Sequence, residues 1–236
     1  MTTTPRRRAR RGTGEQLRGQ ILAAAKKLLA ETADADAVSI RAVADIVGVT
    51  PPSIYLHFAD KDALIEAVVA DLFTELDEVM TAAGVDPHPL ERLCQQGMAY
   101  VRFALESPEH YRLATMSTHT AAGDVDHMLA STAFTHLSET ITDCMDAGIF
   151  RRGDPLPVAL RLWSAAHGIA SLLITKPFLP WGDVLDVANR VLGAAATGLA
   201  IFDYLGEPTP TRFTDWLTGL PPGPRPADTE RQLPGQ

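Results

Sequence analysis

The side chains of this chain that could do chemistry are concentrated between residues 39 and 61. Ser39, Arg41, Thr50, Ser53, Tyr55, His57 and Lys61 fall in the run "SIRAVADIVGVTPPSIYLHFADK", around the adjacent prolines Pro51 and Pro52. Their hydroxyl, imidazole, guanidinium and ammonium groups are hydrogen-bond donors, and the cations among them suit an anionic partner. Catalytic signatures are not found beside them. The chain has no GxSxG, no P-loop and no HExxH, the motifs that would supply a nucleophile elbow, a phosphate cradle or a helical zinc pair. His88, His110, His119, His127, His136 and His167 are never three or four residues apart, the spacing that puts two imidazoles on one helix face. We therefore expect a binding protein and not an enzyme, with no cofactor.

The spacing around these residues predicts the elements that hold them. Ser39 is suited to cap a helix running to about Val47, whose inner face would be Ile40, Val43, Ala44 and Val47. Gly48 stands where the chain must turn sharply and needs a residue tolerant of positive φ. Val49 then plugs the angle, and Thr50 is placed to cap a second helix. Pro51 fits the first position of that helix, where a missing N–H costs nothing, and Pro52 is tolerated in the same turn. Ile54 and Phe58 face inward, while Asp60 caps a long helix with Lys61 in its first turn. This is a helix-turn-helix. Its second helix would present its start to the major groove of double-stranded DNA. The prolines stiffen that end and offer apolar surface to thymine methyls, with Ser53, Tyr55 and His57 at the phosphate walls.

Residues 15–75 resemble the DNA-binding domain of the tetracycline-repressor (TetR) family. The likeness is carried by "ILAAAKKLLAE", by "SIRAVADIVGVTPPSIYLHF" and by "KDALIEAV". The resemblance implies that Tyr55, His57 and Lys61 hold phosphates and that Arg41 reads a guanine. Ser39, Thr50, Pro51, Pro52 and Ser53 would lie beside the DNA. The chain departs from the commoner pattern at Pro51-Pro52, where many members carry small or polar residues, which shifts weight toward apolar contacts.

The remainder reads as helix, so the fold class expected is all-α. Leu17, Ile21, Ala24, Ala25, Leu28 and Leu29 form one apolar stripe, and Leu90, Leu93, Cys94, Gly97, Met98, Val101, Ala104 and Leu105 another. Val125, Met128, Leu129, Leu137, Ile141 and Met145 suggest a further long helix, followed by two more, "PLPVALRLWSAAHGIASLLIT" and "WGDVLDVANRVLGAAATGLAIFDYL". A basic arm (residues 1–14), the helix-turn-helix domain (15–75), a helical domain (76–206) and a Pro-rich tail (207–236) are the expected units. Within the tail, Phe213, Trp216, Leu217 and Leu220 have helical spacing and predict a short helix docked on the body.

"WSAAHGIASLL" resembles the C-terminal domain of a TetR subgroup with a Trp…His-Gly stretch. That resemblance implies a domain that dimerises through its last two long helices and encloses a small-molecule effector. The small-residue face of "GAAATGLA", including Ala195 and Gly198, suits close helix packing in a homodimer. Met98, Phe103, Tyr111, Met116, Met128, Phe134, Trp163 and His167 are the candidate effector contacts, apolar except for Tyr111 and His167; His167 itself reads more simply as a hydrogen-bonded interior histidine.

Charge agrees with a polyanion partner at one end. The net charge is −8, yet residues 1–30 hold eight Lys/Arg against one acidic residue. Two isolated cysteines point to a reducing compartment, and no leader-like apolar region follows the basic start. The uncharged stretches near Trp163 and Val191 are too short, taken alone, to predict a membrane span. The expectation is a cytoplasmic one-component regulator, a repressor that binds a palindromic operator as a dimer and is released by an apolar effector. Two alternatives stay open: a metal sensor built on His119, His127, His136 and Cys144, and a helical interaction module with no DNA role.

Overall fold

Apolar periodicity of 3.6 residues runs through almost every segment, and it produces helices packed in two tiers. The computed structural model describes residues 13–32, 38–116, 132–206 and 209–221. Among these residues there are ten helices and no strand. They are α1 (Thr13–Thr32), α2 (Ile40–Val47), α3 (Pro51–Ile54), α4 (Lys61–Ala83), α5 (Pro89–Glu106), α6 (Pro108–Met116), α7 (Thr132–Asp146), α8 (Leu156–Thr175), α9 (Val184–Leu205) and α10 (Pro210–Gly219).

The first core is built from α1 to α4. Ile21, Ala25 and Leu29 of α1 meet Val43 and Ala44 of α2, Ile54 of α3, Phe58, and Leu64, Val68 and Leu72 of α4. Full burial of each large aliphatic side chain stabilises by about 1.5–3 kcal/mol. Ala44 is fully covered, and its small side chain admits the neighbouring helices. Lys26 of α1 adds a polar tie, reaching Asp71 and Glu75 of α4.

α4 continues unbroken through residue 75. Leu72 belongs to the first core, and Leu76 and Met80, one and two turns on, belong to a second. That second core takes Ala99, Tyr100, Val101 and Ala104 from α5, Tyr111 from α6, Ala166, Ile169 and Ala170 from α8, and Ala188 and Leu192 from α9. α5 is the central helix, packed on α4, α7, α8 and α9. It reaches α9 closely because Gly97 has no Cβ: one built there would meet Leu192 Cδ1 at 3.2 Å. A third apolar cluster joins Ile141, Cys144 and Met145 of α7 to Phe150, Ala159, Leu162 and Ala196. Two ion pairs fasten α7 to its neighbours, His136 Nδ1 to Asp77 of α4 at 2.7 Å and Asp143 to Arg92 of α5.

Two expectations change here. The tail helix forms as α10, with Thr209 accepting from Arg212 N–H at 3.2 Å, but it does not dock: none of its residues is buried. Phe213 and Trp216 shelter each other instead, with ring centroids 5.8 Å apart. Secondly, α8 and α9 are long and apolar enough to cross a membrane, with mean hydropathy 1.4 each, although their uncharged stretches alone predict no span. Arg161 and Arg190 interrupt the helices but do not shorten them. Both helices pack in the bundle on α5, and their apolar excess lies on the outer surface, where Leu160, Leu172, Leu185, Val191, Phe202 and Tyr204 are exposed. Of the further long helix expected from about Val125, the part from Thr132 to Asp146 is described; Val125, Met128 and Leu129 lie outside the described residues.

Candidate nucleic-acid interface and bundle cavity

Ser39 has extended backbone angles, and its hydroxyl accepts the Ala42 N–H at 3.1 Å, which starts α2. Arg41, in the first turn, is exposed. Gly48 ends the helix in the left-handed region, φ 77° and ψ 32°, with its N–H on the Ala44 carbonyl at 2.9 Å. Glycine adopts that conformation without a Cβ penalty. Thr50 occupies the N-cap position of α3 in extended geometry, yet its hydroxyl caps no backbone N–H. It pairs with the Ser53 hydroxyl at 3.0 Å. The cap expected of the Thr50 side chain is therefore absent, because two prolines follow and the first turn has fewer N–H groups to satisfy.

α3 is a single turn, shorter than the sequence suggests, extended by hydrogen bonds from His57 N–H and Phe58 N–H to the Ile54 carbonyl at 2.8 and 3.0 Å. Ile54 and Phe58 anchor it in the first core, and the Arg18 guanidinium lies over the Phe58 ring at 5.0 Å. With those two side chains inside, Pro51, Pro52 and Tyr55 are exposed, and Ser53 and His57 are half-exposed. Asp60 caps α4 by accepting from Ala63 N–H at 2.8 Å, placing Lys61 at its first position. The nine residues singled out for DNA thus fall at the starts of α2, α3 and α4 and in the turn after α3, and none of them is buried. Leu56, which is not among those nine, is 84% exposed between Tyr55 and His57. Its signal is legible in the sequence: an apolar residue one position from two outward ones and two from buried Ile54 and Phe58.

A cavity of about 50 Å³ lies in the second tier, lined by Met80 of α4, Leu93, Gly97 and Tyr100 of α5, Leu162 and Trp163 of α8, and Leu192 of α9, among others. Of the candidate effector contacts, Trp163 lines it. Phe134 packs against Trp163, ring centroids 6.4 Å apart, and His167 stacks on it from the next turn at 5.0 Å. Tyr111 and His167 sit behind the wall, joined by a hydroxyl-to-Nδ1 hydrogen bond of 2.7 Å. Burial holds the His167 pKa below its ordinary value. Met98 and Phe103 pack against the second core and are not among the lining residues. Met116 closes α6 with its side chain outside the described residues, as is Met128. Tyr100, Leu93 and Gly97 line the cavity without having been expected there, since nothing in their types separates cavity from core. Of the metal candidates, His119 and His127 lie outside the described residues and His136 is engaged by Asp77; among the described residues no three His, Cys, Asp or Glu cluster.

Comparison with known proteins fits both tiers. Residues 21–68 match the family model described as bacterial regulatory proteins, tetR family, and residues 93–200 match that of the tetracyclin repressor-like C-terminal domain. The HTH-type transcriptional repressor KstR2 of Rhodococcus jostii (strain RHA1) is 26% identical over 181 residues, 70% of this chain and 82% of that protein. A solved structure of a protein with unknown function from Rhodococcus sp. RHA1 superposes with TM-score 0.66 at 27% identity, covering 84% of this chain and 100% of the other. The fatty acid degradation regulator FadR from Bacillus halodurans shares the fold, with TM-score 0.63 at 16% identity over 77% of this chain and 95% of that one.

Proposed function

The chain belongs to the TetR family of DNA-binding transcriptional regulators, and from that premise we propose that it is a cytoplasmic repressor, dimeric on a near-palindromic operator and released by an apolar small molecule. The observation that carries this reading is the outward turn of α3. Ile54 and Phe58 fix it from inside and leave Pro51, Pro52 and Tyr55 exposed, with exposed Arg41 on the helix before it and Lys61 at the start of the helix after it. A turn so short buries little surface in a groove, so one copy would bind weakly; a two-fold pair reaching successive major grooves about 34–36 Å apart supplies specificity. The exposed apolar residues of α8 and α9 support pairing through that face. Apolar lining of the bundle cavity supports an apolar effector.

Selection of binding sites from genomic fragments, followed by salt titration of the selected duplex, tests the DNA half. A steep fall of affinity with salt and an inverted-repeat site are expected; a selected site with no two-fold symmetry would overturn the dimeric reading. Effector release must come from unequal affinity for the DNA-bound and free conformations. A compound that binds the protein and leaves operator affinity unchanged would count against the cavity as its sensor.

A further inference from the structure

α10 has the local signals of a helix, with Pro210 at its first position and the Thr209 hydroxyl accepting the Arg212 N–H. Phe213, Trp216, Leu217 and Leu220 recur at i, i+3, i+4 and i+7 and so share one side. That side is uncovered: no residue of α10 is buried, and Leu217 is 52% exposed. A helix of ten residues is marginal in water without packing. A second uncovered apolar surface lies where α10 is rooted. Gly206 ends α9 with φ 62°, and at most about 18 Å of chain separates Leu205 from Pro210. Beside that root, Phe202 and Tyr204 of α9 are exposed, Tyr204 by 79%. Leu160 is exposed at the start of α8, which packs on the last turns of α9.

We propose that α10 packs on a second copy of this chain, the α10 of each subunit lying against the outer α8–α9 face of its partner. The proposal rests on the dimeric reading above and adds an exchanged contact to it. Within one chain the two apolar surfaces lie within a tether's reach of each other, yet each leaves the other bare. A two-fold pair through α8 and α9 changes this. α10 then departs from the rim of the shared face, where the partner's surface continues it, and symmetry makes the contact twice. Aromatic side chains carry about 150–250 Å² each. Phe213 and Trp216 therefore add a useful share of the roughly 800 Å² that each partner buries in a standard interface. A lipid surface is the poorer occupant. Helices that lie on membranes have a polar face rich in Lys and Arg, whereas α10 has one cation, Arg212, balanced by one carboxylate, Asp215.

Amide hydrogen exchange of the full chain, measured above and below the dimer dissociation constant found by sedimentation, is the test. Residues 210–219 should exchange at least about tenfold more slowly in the dimer, and at nearly the rate of an unstructured peptide in the monomer. Trp216→Ala combined with Leu217→Ala should weaken the dimer about a hundredfold, tenfold for each of the two symmetric contacts. Both side chains lie outside the three cores, so the doubly substituted monomer should melt as the unsubstituted monomer does. Equal protection of α10 in monomer and dimer would place it on its own chain, and no protection in either would leave it to a different partner. Each of these results, or an unchanged dissociation constant in the double variant, overturns the proposal while the dimer stands. A protein that stays monomeric at every concentration overturns the dimeric reading and this contact with it.

Discussion

Arg41 and Lys61 stand at the two starts of helices that flank the exposed turn, and they are expected to fail differently when removed. The family resemblance implies that Arg41 reads a base edge, so Arg41→Ala should cost about 1–3 kcal/mol on the preferred duplex and relax choice at one position per half-site. Lys61→Ala should weaken every duplex alike and reduce the salt slope by roughly one unit. Competition against mismatched sites separates the two; uniform weakening by Arg41→Ala would mean that it holds phosphate. Leu56 calls for a third test. At 84% exposure it gives little to the fold, so Leu56→Ala should leave stability within about 0.5 kcal/mol of the wild type. Like Pro51 and Pro52 it is apolar and exposed, which suits it to thymine methyls. Operators with uracil in place of thymine should bind the wild type about 1 kcal/mol more weakly for each buried methyl removed, and Leu56→Ala should blunt that difference.

Among the elements, the α2–α3 turn depends on one backbone conformation. Gly48 has φ 77°, and a Cβ there would meet nothing within 4 Å, so the cost of a side chain is torsional and not steric. Gly48→Ala should destabilise by about 1–2 kcal/mol, seen as a lower urea midpoint with unchanged slope. The junction of α4 and α7 depends on pH. His136 gains a hydrogen bond and a charge partner in buried Asp77, which raises its pKa above the ordinary 6.5. A group with a raised folded pKa stabilises fully below its unfolded value and loses that contribution as pH rises through the folded one. The wild type should therefore exceed His136→Asn in thermal stability at mildly acid pH, the margin shrinking from about pH 6.5 upward. A margin constant across that range would mean that packing, not charge, joins the helices.

The whole molecule presents more apolar surface on α8 and α9 than one bundle can cover. Along α9, Ala188, Leu192 and Ala196 face inward while Val191, Ala194 and Phe202 are exposed. Gly198 falls beside that outer stripe, and a Cβ there would meet nothing within 4 Å. Ala195, by contrast, leans on the third core, so a charge there would disturb the monomer as well. Gly198→Glu is the cleaner test. It should keep the helical signal, sediment as a monomer and lose operator affinity together with dimerisation, because two carboxylates near a two-fold axis are desolvated and repel. A dimer that persists at low micromolar concentration, with DNA binding intact, would place the interface elsewhere.

By itself the sequence determined whatever depends on residues close along the chain: the Ser39 and Asp60 caps, the left-handed Gly48, the inward Ile54 and Phe58, and the helical period of every long segment. Each follows from torsion, local hydrogen bonding or amphipathic spacing, so no distant partner is needed. Tertiary structure decided what several helices settle jointly. Met98, Phe103 and Tyr100 all ride on the apolar side of α5, yet of these three Tyr100 alone lines the cavity, since that depends on how α4, α8 and α9 approach. The same reason hid the hydrogen bond of Tyr111 to His167, 56 residues away in sequence. It also hid the undocked state of α10. A helix's own pattern says that it has an apolar face, but whether that face is covered is a property of the surfaces around it.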